Sequence, residues 1–348
     1  MTTRSDIQAR NIIVFGASTI LKELLALPIE IMLISDNDSN KWGTKIHNID
    51  VVSPDQLKRH LSKETLVVIA SESYAEAMKL QLIELGFSAE HQIINASVLI
   101  REWISDKHGE AMDRLRNIHQ GQRAFLIGNG PSLQMADLDL LKDEITFGCN
   151  KIYLAYTETT WRPTYYCVED KLVGQYNAPQ IRELGGVKFF AHPLMPNLSP
   201  DPSANWLFQQ GLGEVDGVPD VRFSKDLREG FYGGWTVIYL MMQLAWHMGI
   251  RELYLLGIDF HFEIPVEMKP LINEAGVTIQ GDAIGNHFSK QYRNSSEPWF
   301  TPALQKQYEV FKYANEVFTS AQGSIVNCSR RTKLDVFPIR LLEDVMNG

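Results

Sequence analysis

The run with the clearest chemical capacity is Gly128-Asn129-Gly130-Pro131-Ser132, placed directly after the apolar stretch Arg123-Ala-Phe-Leu-Ile127. Glycines at 128 and 130 let a ligand approach the backbone where a Cβ would block it. Pro131 lacks an N–H and suits the first turn of a helix. Ser132 offers a hydroxyl, and the free amides of a helix start would face the same place. With the Asn129 side chain, these are groups that hold a phosphate. The same spacing also describes a plain strand-to-helix turn, because Gly-x-Gly alone has little specificity.

Further polar residues fall at the ends of successive apolar runs. Asn150 closes Ile145-Thr-Phe-Gly-Cys149, and Glu169-Asp170 close Pro163-Thr-Tyr-Tyr-Cys-Val168. Gly257-Ile258-Asp259-Phe260 follow Glu252-Leu-Tyr-Leu-Leu256, so Asp259 is placed to accept from ribose hydroxyls or to hold a metal. In open α/β sheets, ligands bind outside the carboxyl ends of strands, where these residues would stand. The alternative for each is a helix cap. Gly233-Gly234-Trp235-Thr236 open an apolar helix and form a second candidate anion site through Gly234 and Thr236. His287 titrates near neutral pH and suits general-base work, with His261 as competitor and a structural role as the alternative. Lys290, Tyr292 and Arg293 can neutralise a leaving phosphate.

Such residues need a scaffold of strands and helices. Asn11-Ile-Ile-Val-Phe-Gly16, Ile29 to Ser35 and Thr65 to Ala70 read as buried strands, separated by helical stretches at Thr19–Leu27, Lys58–Leu61 and Tyr74–Leu85. This alternation predicts an α/β chain with two Rossmann-like, doubly wound parallel-sheet domains, the second one larger. The expected boundaries are 1–98, a charged helical linker at 99–119, and 120–348. Strands are also expected at Val187-Lys-Phe-Phe-Ala-His192 and Ile325-Val-Asn327, with helices at Val237–Met248 and 303–319. Residues 193–230, rich in Pro, Asn, Asp and Gly, read as irregular. Gly16 and Asp36 hold the positions of a dinucleotide site, but Gly16-Ala17-Ser18-Thr19 lacks the second and third glycines. A Rossmann-like domain without a cofactor, used for packing, self-association or partner contact, is the expectation.

Composition narrows the class of function. The 348 residues carry 42 acidic and 33 basic side chains, a net charge of −9. A nucleic-acid partner held by diffuse charge is excluded on that balance. The first ten residues are polar and no run of about 18 apolar residues exists, so neither a signal peptide nor a spanning helix is expected. Cys149, Cys167 and Cys328 form no disulfide or zinc pattern, which suits reduced thiols in the cytoplasm. Apolar surface on the first domain can support a homo-oligomer.

The second domain resembles the bacterial sialyltransferases of glycosyltransferase family 42. The resemblance rests on Ile127-Gly-Asn-Gly-Pro-Ser-Leu133, Cys149-Asn150, Gly249 to Phe260 and His287-Phe-Ser-Lys290, over about residues 120–330. Pro163-Thr-Tyr-Tyr166, Glu169-Asp170 and Asn286-His287-Phe288 resemble more closely the related flagellin-modifying, motility accessory factor group. An archaeal enzyme that transfers diphosphate to 6-hydroxymethyl-dihydropterin shares the Gly-x-Gly-Pro-Ser opening. In the first domain, Asp36-Asn37, Trp42-Gly43 and Val51-Val52-Ser53-Pro54 resemble small nucleotide-binding-like domains attached to sugar-modifying enzymes.

The sialyltransferase resemblance implies a CMP-activated nonulosonic acid as donor, a glycan or protein hydroxyl as acceptor, and no required cofactor. Asn129, Gly130 and Ser132 would hold the phosphate, Asn150 the nucleotide, and Gly257 to Phe260 the ribose and cytosine. His287 would take the acceptor proton. Two departures stand out. The family's tyrosines after the Gly-Ile-Asp-Phe motif are replaced by His261-Phe262, leaving Tyr292 or Arg293 to serve the phosphate. Glu169-Asp170 replace a neutral asparagine, and two carboxylates repel a phosphate unless Mg2+ bridges them. With Asp259 they would make a metal site, which favours the pterin diphosphokinase alternative. A third alternative is a nucleotide-binding scaffold of glycan assembly without catalysis.

Overall fold

The computed structural model describes residues 10–215, 218–264, 268, 270–273, 276–281, 285–293 and 296–347. Most of the polar opening noted above therefore lies outside the described residues. The chain divides into two compact units, Met1–Lys107 and His108–Gly348.

The first unit contains β1 (Asn11–Phe15), α1 (Thr19–Leu25), β2 (Ile31–Ser35), β3 (Lys45–Ile46), β4 (Ile49–Val52), β5 (Thr65–Ile69), α2 (Ala75–Glu84) and β6 (Ile93–Asn95). α3 (Ala96–Leu115) crosses the division. The sheet order is β3-β4-β2-β1-β5-β6, and its pairings are parallel except for the β3–β4 hairpin. Ile13, Phe15, Leu33, Val67 and Ile69 bury one sheet face against Leu57, Met78 and Leu82. Just after β2, the Asp36 carboxylate accepts from the Ala17 amide at 2.7 Å, past the end of β1, and from the Asp38 amide at 2.8 Å, and pairs with Lys41 at 3.1 Å. Both carboxylate oxygens are thus committed to the protein, and those contacts hold its pKa below the ordinary value.

The second unit opens with β7 (Arg123–Ile127), α4 (Met135–Leu140), β8 (Ile145–Cys149), β9 (Tyr165–Val168), α5 (Lys171–Glu183), β10 (Val187–Ala191), the single turn α6 (Met195–Leu198) and β11 (Ala204–Leu207). Short pairings follow, β12 (Gln209–Gln210) with β15 (Phe231–Tyr232) and β13 (Glu214–Val215) with β14 (Val218–Pro219). Then come α7 (Val237–His247), β16 (Glu252–Leu256), a meander of β17 (Pro270–Asn273), β18 (Gly276–Gln280) and β19 (Pro298–Phe300), α8 (Leu304–Ser320), β20 (Ser324–Asn327) and α9 (Leu342–Asn347). The seven-stranded sheet runs β11-β10-β9-β8-β7-β16-β20, parallel throughout. Its central strands are apolar on both faces, as burial beneath helices requires. α7 is buried along its whole length and packs on β7, β8 and β9. Among the described residues, no helix is long and apolar enough to cross a membrane.

Two sequence expectations need correction. Residues 193–230 are not irregular throughout, because they supply the edge strand β11 and three short strands, β12 to β14. The helix expected at Pro131 begins at Met135, with Gln134 as its cap and Asp137 completing a capping box. The stretch after Phe260 carries the meander β17–β19.

Candidate functional site

Strand order reverses direction between β7 and β16: β8 to β11 extend one way from that pair, and β20 the other. Two crossovers part there, leaving a crevice at the carboxyl ends. A cavity of about 540 Å³ opens at this place, lined by the turns after β7, β8, β9 and β16 and by residues near 287–293 and 300–311.

The turns after β7 and β16 interlock. Gly128 donates its amide to Leu256 O at 2.8 Å, Gly130 to Gly257 O at 2.8 Å, and Ser132 to Asp259 Oδ2 at 3.2 Å. A Cβ on Gly128 would fall 2.4 Å from Gly257 O, and one on Gly130 would fall 2.0 Å from Asp259 Oδ2. Both glycines are therefore demanded by the neighbouring turn. The amides expected to hold a phosphate are committed to carbonyls and to a carboxylate. With α4 starting only at Met135, no helix start presents free amides at Pro131 and Ser132. Gly128, Asn129, Gly130, Pro131, Gly257, Ile258, Asp259 and Phe260 line the cavity, whereas Ser132 stands behind it with a buried, unpartnered hydroxyl.

The floor is rich in unspent acceptors. Asn129 donates to Cys149 O at 3.1 Å, which leaves its own Oδ1 buried and unpartnered. Asn150, in the left-handed region at φ +51, gives its carbonyl to Tyr166 at 2.5 Å and also keeps Oδ1 unpartnered. Asp259 Oδ1 completes the set. Cys149 is no nucleophile, since burial pushes its thiol up to about 12.

Glu169 and Asp170 behave differently from each other. Asp170 caps α5, accepting from Leu172 at 2.8 Å and Val173 at 3.2 Å through Oδ1. Burial raises its pKa, against the pull of those amides and of Arg293 and Lys151. Glu169 accepts from Gln209 Nε2 at 2.8 Å, while burial and neighbouring Asp170 push its carboxyl up to about 8. It is therefore a mainly neutral acid at pH 7 with an unpartnered Oε2. Glu169, Asp170 and Asp259 each spend one oxygen on the protein, and among the described residues no three His, Cys, Asp or Glu side chains converge as ligands.

The remaining wall carries the histidine. Phe288 donates its amide to Asn129 O at 3.0 Å, and Asn286 clamps Glu263 through two 2.7 Å bonds. His287 stacks on Tyr292 with ring centroids 3.8 Å apart and planes within 6°. Burial, then Arg293 and Lys151, push its pKa down to about 2, and its Nδ1 is buried and unpartnered. Tyr292 is buried, and the same burial raises its phenol. The Arg293 guanidinium lies 4.7 Å from the Trp299 ring centroid and 5.5 Å from that of Tyr292, its pKa lowered by burial. Lys151, paired with Glu297, stands 5.7 Å from the Tyr292 ring. His261 lines the cavity but is engaged by Glu263 at 3.3 Å and Lys333 at 3.1 Å. Lys290 is exposed and outside the lining.

Thr236 lines the cavity and caps α7, accepting from Ile238 at 3.3 Å. Gly234 does not line it, because Tyr239 covers the direction of its missing side chain at 2.6 Å. Gln209, Lys151 and Gln307 carry no signal in the sequence; Trp235 carries one, its place between a glycine pair and a helix cap.

Residues 8–94 match the family described as C2185-like, N-terminal. No curated protein matches the chain. Among solved structures, a MAf glycosyltransferase from Magnetospirillum magneticum AMB-1 aligns with a TM-score of 0.38 at 12% identity, over 95% of this chain and 57% of that one. The chain thus spans little more than half the length of that protein.

Proposed function

We propose that the second unit is a glycosyltransferase domain that moves a sugar from a nucleotide-activated donor to an acceptor hydroxyl. One observation carries this reading: buried polar atoms of Asn129, Asn150, Glu169, Asp259, His287 and Arg293, unpartnered among the described residues, meet around one cavity at the sheet's switch point. Buried polar atoms are costly without partners, so this wall is built to receive a ligand rich in hydroxyls and charge. The cavity volume is that of an ordinary small-molecule site.

The placement of the donor follows from charge. Three acceptors on the floor suit ribose or sugar hydroxyls and a base amino group. The phosphate is assigned to the Arg293 side of the cavity, because the turn amides are taken and Asp259 repels an anion. The motif resemblance points to a CMP-activated nonulosonic acid as the donor. The acceptor oxygen attacks the anomeric carbon, the bond from that carbon to the phosphate oxygen breaks, and its electron pair leaves with the nucleotide. His287 Nδ1 receives the acceptor proton. An imidazole this hard to protonate is a weak base in the empty site. Burial is the larger cause of that shift and remains; an anionic donor beside Arg293 offsets the cationic part and raises the basicity to that extent.

The test is calorimetric binding of CMP, CDP, UDP and ATP to the whole chain in chelator, followed by CMP-sugar turnover. The expected result is binding of CMP without metal, and His287→Ala that retains CMP while turnover drops about 100-fold or more. Absence of binding by every nucleotide sinks the reading and leaves a scaffold; metal-dependent ATP binding would return the diphosphokinase alternative.

A further inference from the structure

Trp235 stands where its own backbone resists it. Its φ is +55, in the left-handed region that crowds the Cβ of an L residue. The chain has two glycines immediately before it, yet places its largest side chain type at the strained position. The conformation is held from both sides. Gln307 Nε2 donates to Trp235 O at 2.8 Å, and Thr236 begins α7 directly afterwards. The indole is not core: it is 37% exposed and lines the cavity, with the Lys306 ammonium 5.1 Å from the ring centroid. Strain kept at a cavity wall is the signature of a residue retained for what it touches.

Two planar polar side chains stand close by. A Cβ on Gly233 would lie 2.6 Å from Gln209 Nε2 and 3.4 Å from Glu169 Oε1, so this bonded pair abuts the backbone two residues before the indole. Glu169, Gln209 and Trp235 all line the same cavity. A pyranose presents a face of C–H bonds and an edge of hydroxyls. An aromatic plane covers the first, and a carboxyl–amide pair, its buried Oε2 unpartnered among the described residues, suits the second. We infer that Trp235, Glu169 and Gln209 form a subsite for the pyranose ring of the acceptor, so the acceptor is a saccharide. This rests on the transferase reading, in which the floor acceptors Asn129, Asn150 and Asp259 belong to the donor and the start of α7 is left to the second substrate.

The experiment compares the whole chain with its Trp235→Gly variant. Methyl glucopyranoside, methyl galactopyranoside and methyl N-acetylglucosaminide are titrated calorimetrically, alongside CMP, and melting temperatures are recorded. Expected is binding of at least one pyranoside, weakened about tenfold or more by the variant, with CMP affinity held within about twofold. The melting temperature should hold or rise, because glycine adopts this angle without strain. Three outcomes overturn the subsite: no pyranoside bound by the natural chain, equal affinity in both, or a tenfold loss of CMP affinity, which would make the indole a nucleobase platform. A lower melting temperature with unchanged pyranoside binding likewise assigns Trp235 to structure. If nucleotides fail to bind while the pyranoside response still depends on Trp235, the transferase reading falls and the saccharide subsite stands.

Discussion

Asp259 accepts the backbone amide of Ser132 at 3.2 Å, joining two turns that are 127 residues apart in the chain. That bond decides where a ligand can put its charge. A carboxylate occupies the place that a phosphate would take in an open glycine loop, so the turn after β7 offers side-chain acceptors to the cavity instead of free amides.

Gly130 tests this interlock. A methyl group there would meet Asp259 Oδ2 at 2.0 Å and Gly257 O at 2.7 Å. The carboxylate can rotate away only by releasing Ser132, and the carbonyl belongs to backbone. Gly130→Ala is expected to lower stability by about 1–3 kcal/mol, the range of an overpacked site. Urea unfolding should show a lower midpoint with an unchanged slope. Adding Asp259→Ala removes one of the two clashes, so the double variant should cost less than the sum of the singles. Strict additivity would mean that the turns do not meet.

Much of this scaffold is legible in the sequence. Arg123–Ile127 and Glu252–Leu256 are short apolar runs ending in glycine, and a parallel strand buried on both faces must look that way. The side-by-side placement of the turns that follow is implied by strand order, which residue pattern alone does not specify. What stays hidden is long-range or local in a way that composition blurs. The Ser132–Asp259 bond cannot be seen from either end. Asp170, placed by the sequence at a strand end, spends Oδ1 as a helix cap because α5 starts directly after it. Ala204–Leu207 forms the edge strand from a segment whose Pro, Asn and Asp mask a four-residue pairing. Trp235 gives no sign in the sequence of its left-handed angle.

Two titratable groups that line the cavity, Glu169 and His287, give opposite slopes of stability with pH. Glu169 binds its proton more tightly in the folded chain, with a pKa raised from 4.5 to about 8. The folded state therefore holds the extra proton across that window, and stability falls as pH rises through it. His287, lowered from 6.5 to about 2, is neutral when folded and protonated when unfolded, so stability rises with pH up to 6.5. The slopes oppose each other between pH 4.5 and 6.5, and above 6.5 the carboxyl acts alone. From there to pH 8 the natural chain should lose about 1–2 kcal/mol that Glu169→Gln does not lose. Urea midpoints at pH 6.5 and 8 decide the matter. Parallel behaviour of the two proteins would mean that Glu169 is ionised at neutral pH.

Lys151 and Glu297 hold the wall that carries His287. Lys151 is buried, its ammonium is paired with Glu297, and its backbone amide bonds the Tyr292 phenol oxygen, on whose ring His287 stacks. Removing one member of a buried pair strands the other charge, at a cost of about 3–5 kcal/mol. Lys151→Met is therefore expected to be severely destabilising, and Lys151→Met/Glu297→Gln to recover most of the loss. The double variant also removes one of the two cations that depress His287, so its imidazole should titrate at higher pH, seen as a shifted ring resonance in the NMR spectrum. Arg293 and burial remain, so the value should still lie below the ordinary histidine range. A double variant as unstable as the single would show that the pair contributes packing and not charge balance. An unmoved His287 resonance would place Lys151 too far away to set the state of the base.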